Sequence, residues 1–322
     1  MIKKGYVIMK LKSFLKYVEI QTKAASMIPF AAGTVFAYYR FQRFSLTNFI
    51  LMLVSLLSFD MTTTAINNYI DYKSAKKKSG YGFEVHNAIV RDNIKERDAL
   101  TVILMLGALA VITGFLLFLN SNILVLILGV ISFAVGVIYT AGPVPISRTP
   151  LGEVFSGLFM GFLIPFLSFY IHVIDEQVLS VSIRNGILNL EINLNEIIAI
   201  LVCSVPTVTG IANIMLANNI CDIEDDLENK RYTLPIYIGR DKALTLFKIL
   251  YYVAYITILV SIITGLLPVI SILFFVTLIP VQKNISRFIE VQTKKDTFSL
   301  SVKNFAVMNI TLILSIAVDI IL

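Results

Sequence analysis

Three oxygen-bearing side chains recur at four-residue spacing in the segment NIMLANNICDIEDDLENKRYTLPIYIG (213–239). Asn218, Asp222 and Asp226 share one face if this segment is helical throughout, because four residues make about one turn. Asp225 lies beside them. Carboxylate and amide oxygens are the ligands that hard divalent cations prefer, and Mg²⁺ keeps positions open for phosphate oxygens. The spacing therefore predicts a site for a divalent cation and a phosphorylated substrate.

A second row of this kind occurs earlier in the chain, in INNYIDYK (66–73). Asn67 and Asp71 are four residues apart, and Asn68 lies beside the first of them. Alone, this row could equally be a polar helix end among lipid headgroups. Each row, however, follows an apolar run and precedes a long polar loop. This pairing favours a common role in binding metal and substrate.

The composition places both rows in a membrane protein. Of 322 residues, 57% are hydrophobic and 15% are charged, and apolar runs of about 20 residues recur along the chain. We predict an all-α membrane protein, a bundle of about nine transmembrane helices in two four-helix units plus one. Residues 1–322 are expected to form a single integral-membrane domain, with 1–23 as a basic amphipathic cytoplasmic segment. The predicted spans are 24–40, 46–70, 99–119, 123–141, 153–173, 196–217, 243–263, 267–282 and 304–322.

The loop charges orient these spans. Nearly all loop lysines and arginines fall on one side, and the other side holds Arg40, Arg43 and Arg184. Positive charge concentrates in cytoplasmic loops. We therefore predict a multi-pass protein of the cell membrane, with the N-terminus inside, the C-terminus outside and both rows on the cytoplasmic side. Two cysteines and two histidines exclude a disulfide framework and a multi-haem carrier.

Basic side chains flank both rows and are candidates for binding phosphate oxygens. They are Lys73, Arg91, Lys95, Lys230 and Arg231. Loop cations also satisfy the charge rule for cytoplasmic loops, so each has a purely topological explanation as well. The lysine-rich loop 71–98 is expected either to close over bound phosphate or to contact anionic lipid headgroups.

The second row continues into a longer pattern that resembles the UbiA-type intramembrane aromatic prenyltransferases. That family's second motif reads roughly D-x-x-x-D-x-x-x-G-x-x-T-L-x-x-x-x-G, and Lys230 stands at its middle glycine. The matching residues are Asp222, Asp226, Thr233, Leu234 and Gly239. The first motif, roughly N-D-x-x-D-x-x-x-D, is matched at Asn67 and Asp71 but not at Asn68 and Ala75. The resemblance covers nearly the whole chain, including the nine-helix count.

Within that family, the segment YTAGPVPISRTPLGEVFSG (139–157) is the most discriminating. It is similar to the Y-[ST]-x-G-P-x-P…LGE segment of the menaquinone-branch enzymes, which prenylate 1,4-dihydroxy-2-naphthoate. Gly-Pro-x-Pro also makes a tight turn between helices. The residues that carry the similarity are Tyr139, Gly142, Pro143, Pro145, Leu151, Gly152 and Glu153.

The resemblance implies transfer of a polyprenyl group from polyprenyl diphosphate to 1,4-dihydroxy-2-naphthoate, with release of diphosphate and CO₂, giving demethylmenaquinone. It implies Mg²⁺ as cofactor, held by Asn67 and by the catalytic residues Asp71, Asp222 and Asp226. The diphosphate carries about three negative charges and the aspartates add three more, which two Mg²⁺ ions largely offset. Taken together, the candidate substrate-binding residues are Asn67, Asn68, Lys73, Arg91, Lys95, Tyr139, Asn218, Lys230, Arg231 and Asp60.

Asp60 is an acidic residue deep inside a predicted span. It precedes Asn67 by seven residues and Asp71 by eleven, offsets that return close to one helical face. Eleven residues place it about 16 Å further along the helix than Asp71. A carboxyl group at that depth is costly unless it is paired or faces a polar cavity. It either lines the deep end of the pocket or is a packing residue, hydrogen-bonded to Ser or Thr of a neighbouring helix.

Other functions stay open at this point. A related enzyme could act on another acceptor, such as 4-hydroxybenzoate or a haem or chlorophyll precursor. A membrane transporter also uses intramembrane carboxylates, but it predicts helices broken at mid-membrane. A structural subunit needs no matched acidic rows. The lipid bilayer is the expected surrounding, no nucleic acid partner is expected, and the oligomeric state is open.

Overall fold

The computed structural model describes residues 9–74, 87–140, 142, 144–185 and 187–322. Within these ranges the chain is almost entirely helical, and its strands form one hairpin. The predicted all-α membrane class is therefore confirmed. Two compact units divide the chain: the first comprises Met1–Ala24 and Leu51–Leu117, and the second Ala25–Ile50 and Phe118–Leu322. These divisions fall at other points than the expected four-helix units, and a single functional domain over 1–322 stays a prediction.

The helices follow the predicted spans closely, with short 3₁₀ and π segments between some of them. The first group is α1 (Leu11–Tyr17), α2 (Ala24–Phe41), α3 (Leu46–Ser74), α4 (Ala88–Arg91), α5 (Glu96–Leu119), α6 (Ile123–Thr140), α7 (Gly152–Ser156) and α8 (Ile164–Tyr170). The second group is α9 (Leu194–Cys203), α10 (Val205–Cys221), α11 (Ile223–Glu228), α12 (Leu234–Ile238), α13 (Arg240–Ile263), α14 (Leu278–Glu290) and α15 (Phe298–Ile321). A π-helical stretch, Gly157–Leu163, joins α7 to α8, and a 3₁₀ segment, Val269–Thr277, precedes α14.

Seven helical segments of the described chain are long and apolar enough to cross a membrane. The pair α9 and α10, bent by 45°, makes an eighth if it is one span. The predicted count of about nine included α2. This helix forms as expected over Ala24–Phe41, but its mean hydropathy is lower than that of the seven segments because it contains Arg40, two tyrosines and single Ser, Pro, Gly and Thr residues.

The first unit has its own hydrophobic core, in which the N-terminal segment takes part. Tyr17 and Val18 are fully buried among residues of α3, α4 and α5. The Tyr17 hydroxyl donates a hydrogen bond to the Ala65 carbonyl of α3 at 3.0 Å. The described part of the segment expected to be a basic amphipathic extension is therefore anchored to the unit by buried aromatic and aliphatic contacts.

The second unit packs around α10, which contacts the π-helical stretch, α13 and α15. Glycines allow the closest approaches. A Cβ atom on Gly161 would lie 2.4 Å from the Cα of Val208. One on Gly210 would lie 2.7 Å from the ring of Phe305. Because real Cβ contacts are longer than this, the backbone spacing around α10 depends on these residues having no side chain.

An antiparallel hairpin interrupts the helices between α8 and α9. Its strands are β1 (Leu179–Arg184) and β2 (Ile187–Ile192), paired with Leu179 opposite Ile192. The predicted spans leave 174–195 as a loop, although LSVSIR and ILNLEI alternate apolar and polar residues as strands do. The Asn193 side chain then caps α9, whose Glu196 accepts two hydrogen bonds from Arg40 of α2 at 2.9 and 3.0 Å.

The close approach at Gly161 yields a stability prediction. Gly161→Ala forces a methyl group against the backbone of α10, so we expect the free energy of unfolding to fall by about 1–3 kcal/mol. Gly129→Ala in α6 is the matched control, because a Cβ there meets nothing within 4 Å. Chemical denaturation in detergent measures both variants. Equal stability of the two would contradict the packing described for Gly161.

Candidate functional site

The second acidic row lies where α10 ends. The three residues share one face only if a single helix runs through the row, and the structure breaks the helix at Asp222. This residue separates α10 from α11 and has φ −103° and ψ 9°. Aspartate favours such breaks because its carboxylate competes for local backbone donors. The turn is nevertheless kept, since the Asp226 amide donates to the Asp222 carbonyl at 2.7 Å.

One ammonium group bridges two members of this row. Lys294 Nζ lies 2.7 Å from Asp222 Oδ2 and also donates to Asn218 Oδ1. Lys294 belongs to the connection between α14 and α15, far along the chain from the row. The sequence analysis counted it only among the cytoplasmic charges and did not select it. No local spacing indicates the contact, because only the tertiary fold brings the two segments together.

Asp226 occupies a more enclosed position than Asp222. Its carboxylate accepts a hydrogen bond from the Thr233 hydroxyl at 3.2 Å, and Arg231 Nη1 lies 3.9 Å away. Burial raises the pKa of Asp226, and the bond from Thr233 and the charge of Arg231 offset part of this effect. Thr233 was identified above only as a motif match. The structure shows that it holds the carboxylate directly.

The residue at the motif's middle glycine has an unusual backbone. Lys230 has φ 55°, in the left-handed region that glycine adopts most easily. Its amide donates to the Leu227 carbonyl, and the Arg231 amide donates to the Asp226 carbonyl. The loop therefore follows the path that a glycine would take, in spite of the substitution. The Lys230 side chain is exposed.

A buried hydrogen bond holds the residue next to Asn218. The Asn219 side chain donates to Glu153 Oε1 at 2.8 Å, and Glu153 is 4% exposed. In the part of the chain that the structure describes, its other oxygen has no hydrogen-bond partner. The Tyr139 hydroxyl lies 3.5 Å from the Gly152 carbonyl. Glu153 of the Leu-Gly-Glu motif thus fixes the side chain of Asn219, which is adjacent to Asn218.

The first acidic row is helical, as predicted. Asn67 and Asp71 both lie in α3, which extends to Ser74, and Asn67 is exposed while Asp71 is partly buried. Asn68 is buried instead, and its side chain donates to the Tyr17 carbonyl at 3.0 Å and to Glu19 at 3.2 Å. The structure therefore gives Asn68 a packing role beside the row.

The basic residues near the first row have acidic partners. Lys73 forms an ion pair with Glu96 at 2.7 Å, and Arg91 lies 3.0 Å from Asp92, whose pKa the guanidinium lowers. Lys95 is exposed just before α5. The expected closing loop 71–98 includes residues 75–86, which lie outside the described residues, so its closure stays a prediction.

Asp60 is paired within the first unit. Lys23, which is 3% exposed, places its ammonium 2.6 Å from Asp60 Oδ1 and 2.7 Å from the Thr64 hydroxyl. The expected packing partner was a Ser or Thr of another helix, but a lysine provides the contact. The sequence analysis counted Lys23 as a cytoplasmic charge. Its burial was not visible, because it lies at the end of a basic segment.

The fold and this site define a class: a multi-span helical membrane protein with an oxygen-rich row at the end of a spanning segment. Residues 26–310 match the UbiA prenyltransferase family. A Bacillus subtilis (strain 168) protein named 1,4-dihydroxy-2-naphthoate octaprenyltransferase is 33% identical over 244 residues, covering 76% of this chain and 71% of that protein. The chain belongs to the UbiA prenyltransferase family, and the resemblance stated from its motifs is confirmed.

Solved structures agree on the fold. The apo structure of a UbiA homolog from Aeropyrum pernix K1 has a TM-score of 0.68 and 19% identity, covering 93% of this chain and 98% of that one. A UbiA homolog from Archaeoglobus fulgidus, bound to GPP and Mg²⁺, has a TM-score of 0.61 and 18% identity, covering 96% of this chain and all of that one.

The second row fits a divalent cation on its own geometry. The described residues contain no group of three His, Cys, Asp or Glu side chains close enough to hold a metal by themselves. The amide oxygen of Asn218 and a carboxylate oxygen of Asp222 nevertheless converge on one ammonium group. Two oxygens that share one cation in this way are suited to share a metal ion, with phosphate oxygens and water completing its coordination.

The Lys23–Asp60 pair yields a second stability prediction. Removing one partner leaves the other charge buried, so we expect Asp60→Asn and Lys23→Met each to lower the free energy of unfolding by about 3 kcal/mol. The double variant Lys23→Met/Asp60→Leu should recover part of this loss. Lys12→Met, at an exposed lysine, is the control.

Denaturation in detergent and steady-state kinetics together separate the two interpretations of Asp60. A structural role predicts reduced stability with an unchanged KM for the acceptor. A normally stable Asp60→Asn enzyme with a raised acceptor KM would instead assign Asp60 to the pocket.

Proposed function

We propose that this protein transfers a polyprenyl group from polyprenyl diphosphate to 1,4-dihydroxy-2-naphthoate, releasing diphosphate and CO₂ and giving demethylmenaquinone. The observation that carries the proposal is the second row, where Asn218 and Asp222 converge on one cation and Asp226 is held beside them. The Bacillus subtilis relative bears the name of this activity. The similarity of segment 139–157 to the menaquinone-branch enzymes supports the same acceptor.

Four residues are proposed to hold Mg²⁺: Asn67, Asp71, Asp222 and Asp226. When bound, Mg²⁺ neutralises the charge that develops on the departing diphosphate. Lys230 and Arg231 are proposed to bind diphosphate oxygens, because they lie within about five residues of Asp226 and at least part of each side chain is open to solvent. Lys73, Arg91 and Lys95 are proposed to add positive charge after the first row.

The reaction breaks the bond between the allylic carbon and the diphosphate oxygen. The ring carbon of the acceptor then forms a bond to that allylic carbon, and the acceptor's carboxyl group leaves as CO₂. The allylic cation must be kept from water, which an apolar helical bundle accomplishes. The aromatic ring of Tyr139, anchored near Gly152, is proposed to face this cation.

We propose that the protein lies in the cytoplasmic membrane with its active site on the inner side. The distribution of lysine and arginine supports an inside N-terminus and an outside C-terminus. The lipid bilayer then receives the long prenyl tail, while the charged diphosphate stays near the water-exposed ends of the helices.

The bent pair α9–α10 is the feature that would favour a transporter, because transporters bind substrate at broken helices. The break lies at Ser204, however, and the acidic row lies at the opposite end of α10. Membership of the UbiA prenyltransferase family agrees with an enzyme. Other acceptors, 4-hydroxybenzoate or a haem or chlorophyll precursor, are the remaining alternatives.

The acceptor is tested by supplying membranes that contain the protein with labelled polyprenyl diphosphate, Mg²⁺ and one acceptor at a time. We expect a prenylated, decarboxylated product from 1,4-dihydroxy-2-naphthoate and none from 4-hydroxybenzoate, identified by mass spectrometry. EDTA should abolish the reaction, because diphosphate release then lacks charge compensation. A product formed only from another acceptor would overturn the acceptor assignment while leaving prenyl transfer intact.

The carboxylate assignment is tested by replacing Asp71, Asp222 and Asp226 singly with Ala. We expect turnover at saturating acceptor to fall by about two orders of magnitude or more, as when a group that stabilises developing charge is removed. Asp225→Ala is the matched control, since Asp225 is exposed and adjacent to the row. Near-normal activity of Asp222→Ala in Mg²⁺ would remove Asp222 from the site.

A further inference from the structure

The connection between α14 and α15 is built to hold one lysine at the acidic row. The Thr293 amide donates to the Thr297 hydroxyl at 2.9 Å, and the Thr293 hydroxyl donates to Asp296 at 3.2 Å. The Asp296 amide donates back to the Thr293 hydroxyl, and Thr297 is buried. These hydrogen bonds fix the backbone of the turn that carries Lys294. The fixed backbone in turn limits the directions in which the Lys294 side chain can extend.

The ammonium of Lys294 meets the row at the oxygens that a metal would use. It contacts Asp222 Oδ2 at 2.7 Å and Asn218 Oδ1, and it lies 5.2 Å from the centre of the Phe298 ring. Asn218 and Asp222 thus share one positive charge supplied by a distant part of the chain. An ammonium group and a divalent cation held by the same two oxygens would lie only a few ångströms apart, so their positive charges repel and each weakens the binding of the other.

We propose that Lys294 is a positioning residue that takes the place of the metal when the site is metal-free and competes with Mg²⁺ for Asn218 and Asp222. In the metal-free protein, its positive charge compensates the negative charge of Asp222. Its two contacts also stabilise the C-terminal end of α10. Mg²⁺ binds against the positive charge of this ammonium group, so Lys294 weakens metal binding. Occupancy of the site by Mg²⁺ then depends on additional negative charge. A diphosphate substrate supplies that charge. This inference rests on the proposed metal role of the row.

The consequence is an order of events. With Lys294 on the row, Mg²⁺ alone binds weakly, and Mg²⁺ together with a diphosphate binds well, because the diphosphate adds oxygens that the ammonium does not block. Lys294 therefore limits binding of Mg²⁺ in the absence of the diphosphate substrate. Lys295, which follows directly and is exposed, carries the same charge without the contact to the row.

The test is thermal unfolding of the purified full-length protein in detergent, without substrate, in EDTA and across a Mg²⁺ titration. Lys294→Met should melt at a lower temperature than the parent in EDTA. Its half-stabilising Mg²⁺ concentration should be lower by about two- to fivefold, the range expected for losing a partly exposed ion pair. Lys295→Met controls for the lost charge and should match the parent in both measurements. Lys294→Arg should restore the melting temperature in EDTA.

Three outcomes would overturn the inference. One is a Lys294→Met protein that cannot be distinguished from Lys295→Met. Another is a half-stabilising Mg²⁺ concentration that is unchanged or higher in Lys294→Met. The third is that Mg²⁺ stabilises neither the parent nor any variant. The readout needs no acceptor, so prenyl transfer measured separately decides the proposed function independently of this result.

Discussion

A carboxylate next to an apolar bundle must be matched by a cation or a hydrogen-bond donor, and this constraint governs the arrangement described above. Isolated charge is costly where water is scarce. Asp60 is matched by Lys23, Asp222 by Lys294 and Asp226 by Thr233. In the first two cases the partner comes from a different helix or connection. Asp60 and Asp222 therefore each fix a tertiary contact.

The packing of the second unit holds the carboxylates of the acidic row in position. α10 carries Asn218 and ends at the acidic row, and glycines at its neighbours bring the surrounding helices unusually close. Close backbone contact limits the freedom of α10 to shift along its axis. Asn219, which is buried, is held by a hydrogen bond to the buried Glu153. The row is thus positioned by a rigid scaffold rather than by a loop alone.

Much of this was visible in the sequence. The apolar runs predicted most of the long helices to within a few residues, because the membrane demands long helical segments. The spacing of Asn218, Asp222 and Asp226 identified the row, because i, i+4 neighbours share a face. The motif matches led to the correct family. These are all local signals, and local signals are what a single chain displays.

The missed features are tertiary. Lys294 and Lys23 looked like ordinary loop cations, and only folding brings them to Asp222 and Asp60. The break of the helix at Asp222 was hidden by an unbroken periodic pattern. Asn68 was assigned to substrate because it adjoins Asn67, yet neighbours on a helix point about 100° apart. The hairpin was missed because its strands have only six residues each and lie between two predicted membrane spans.

The π-helical stretch Gly157–Leu163 has a consequence for how this segment tolerates insertions and deletions. A π turn holds one more residue than an α turn, so it records an extra residue absorbed within a helix. Deleting one residue there would restore regular α geometry but rotate the segment's start by about 100° relative to its end. Glu153 would then turn away from Asn219 while Tyr170 kept its contact with Asn122. The number of residues in this helix therefore determines whether Glu153 can reach Asn219, the residue next to Asn218 of the acidic row.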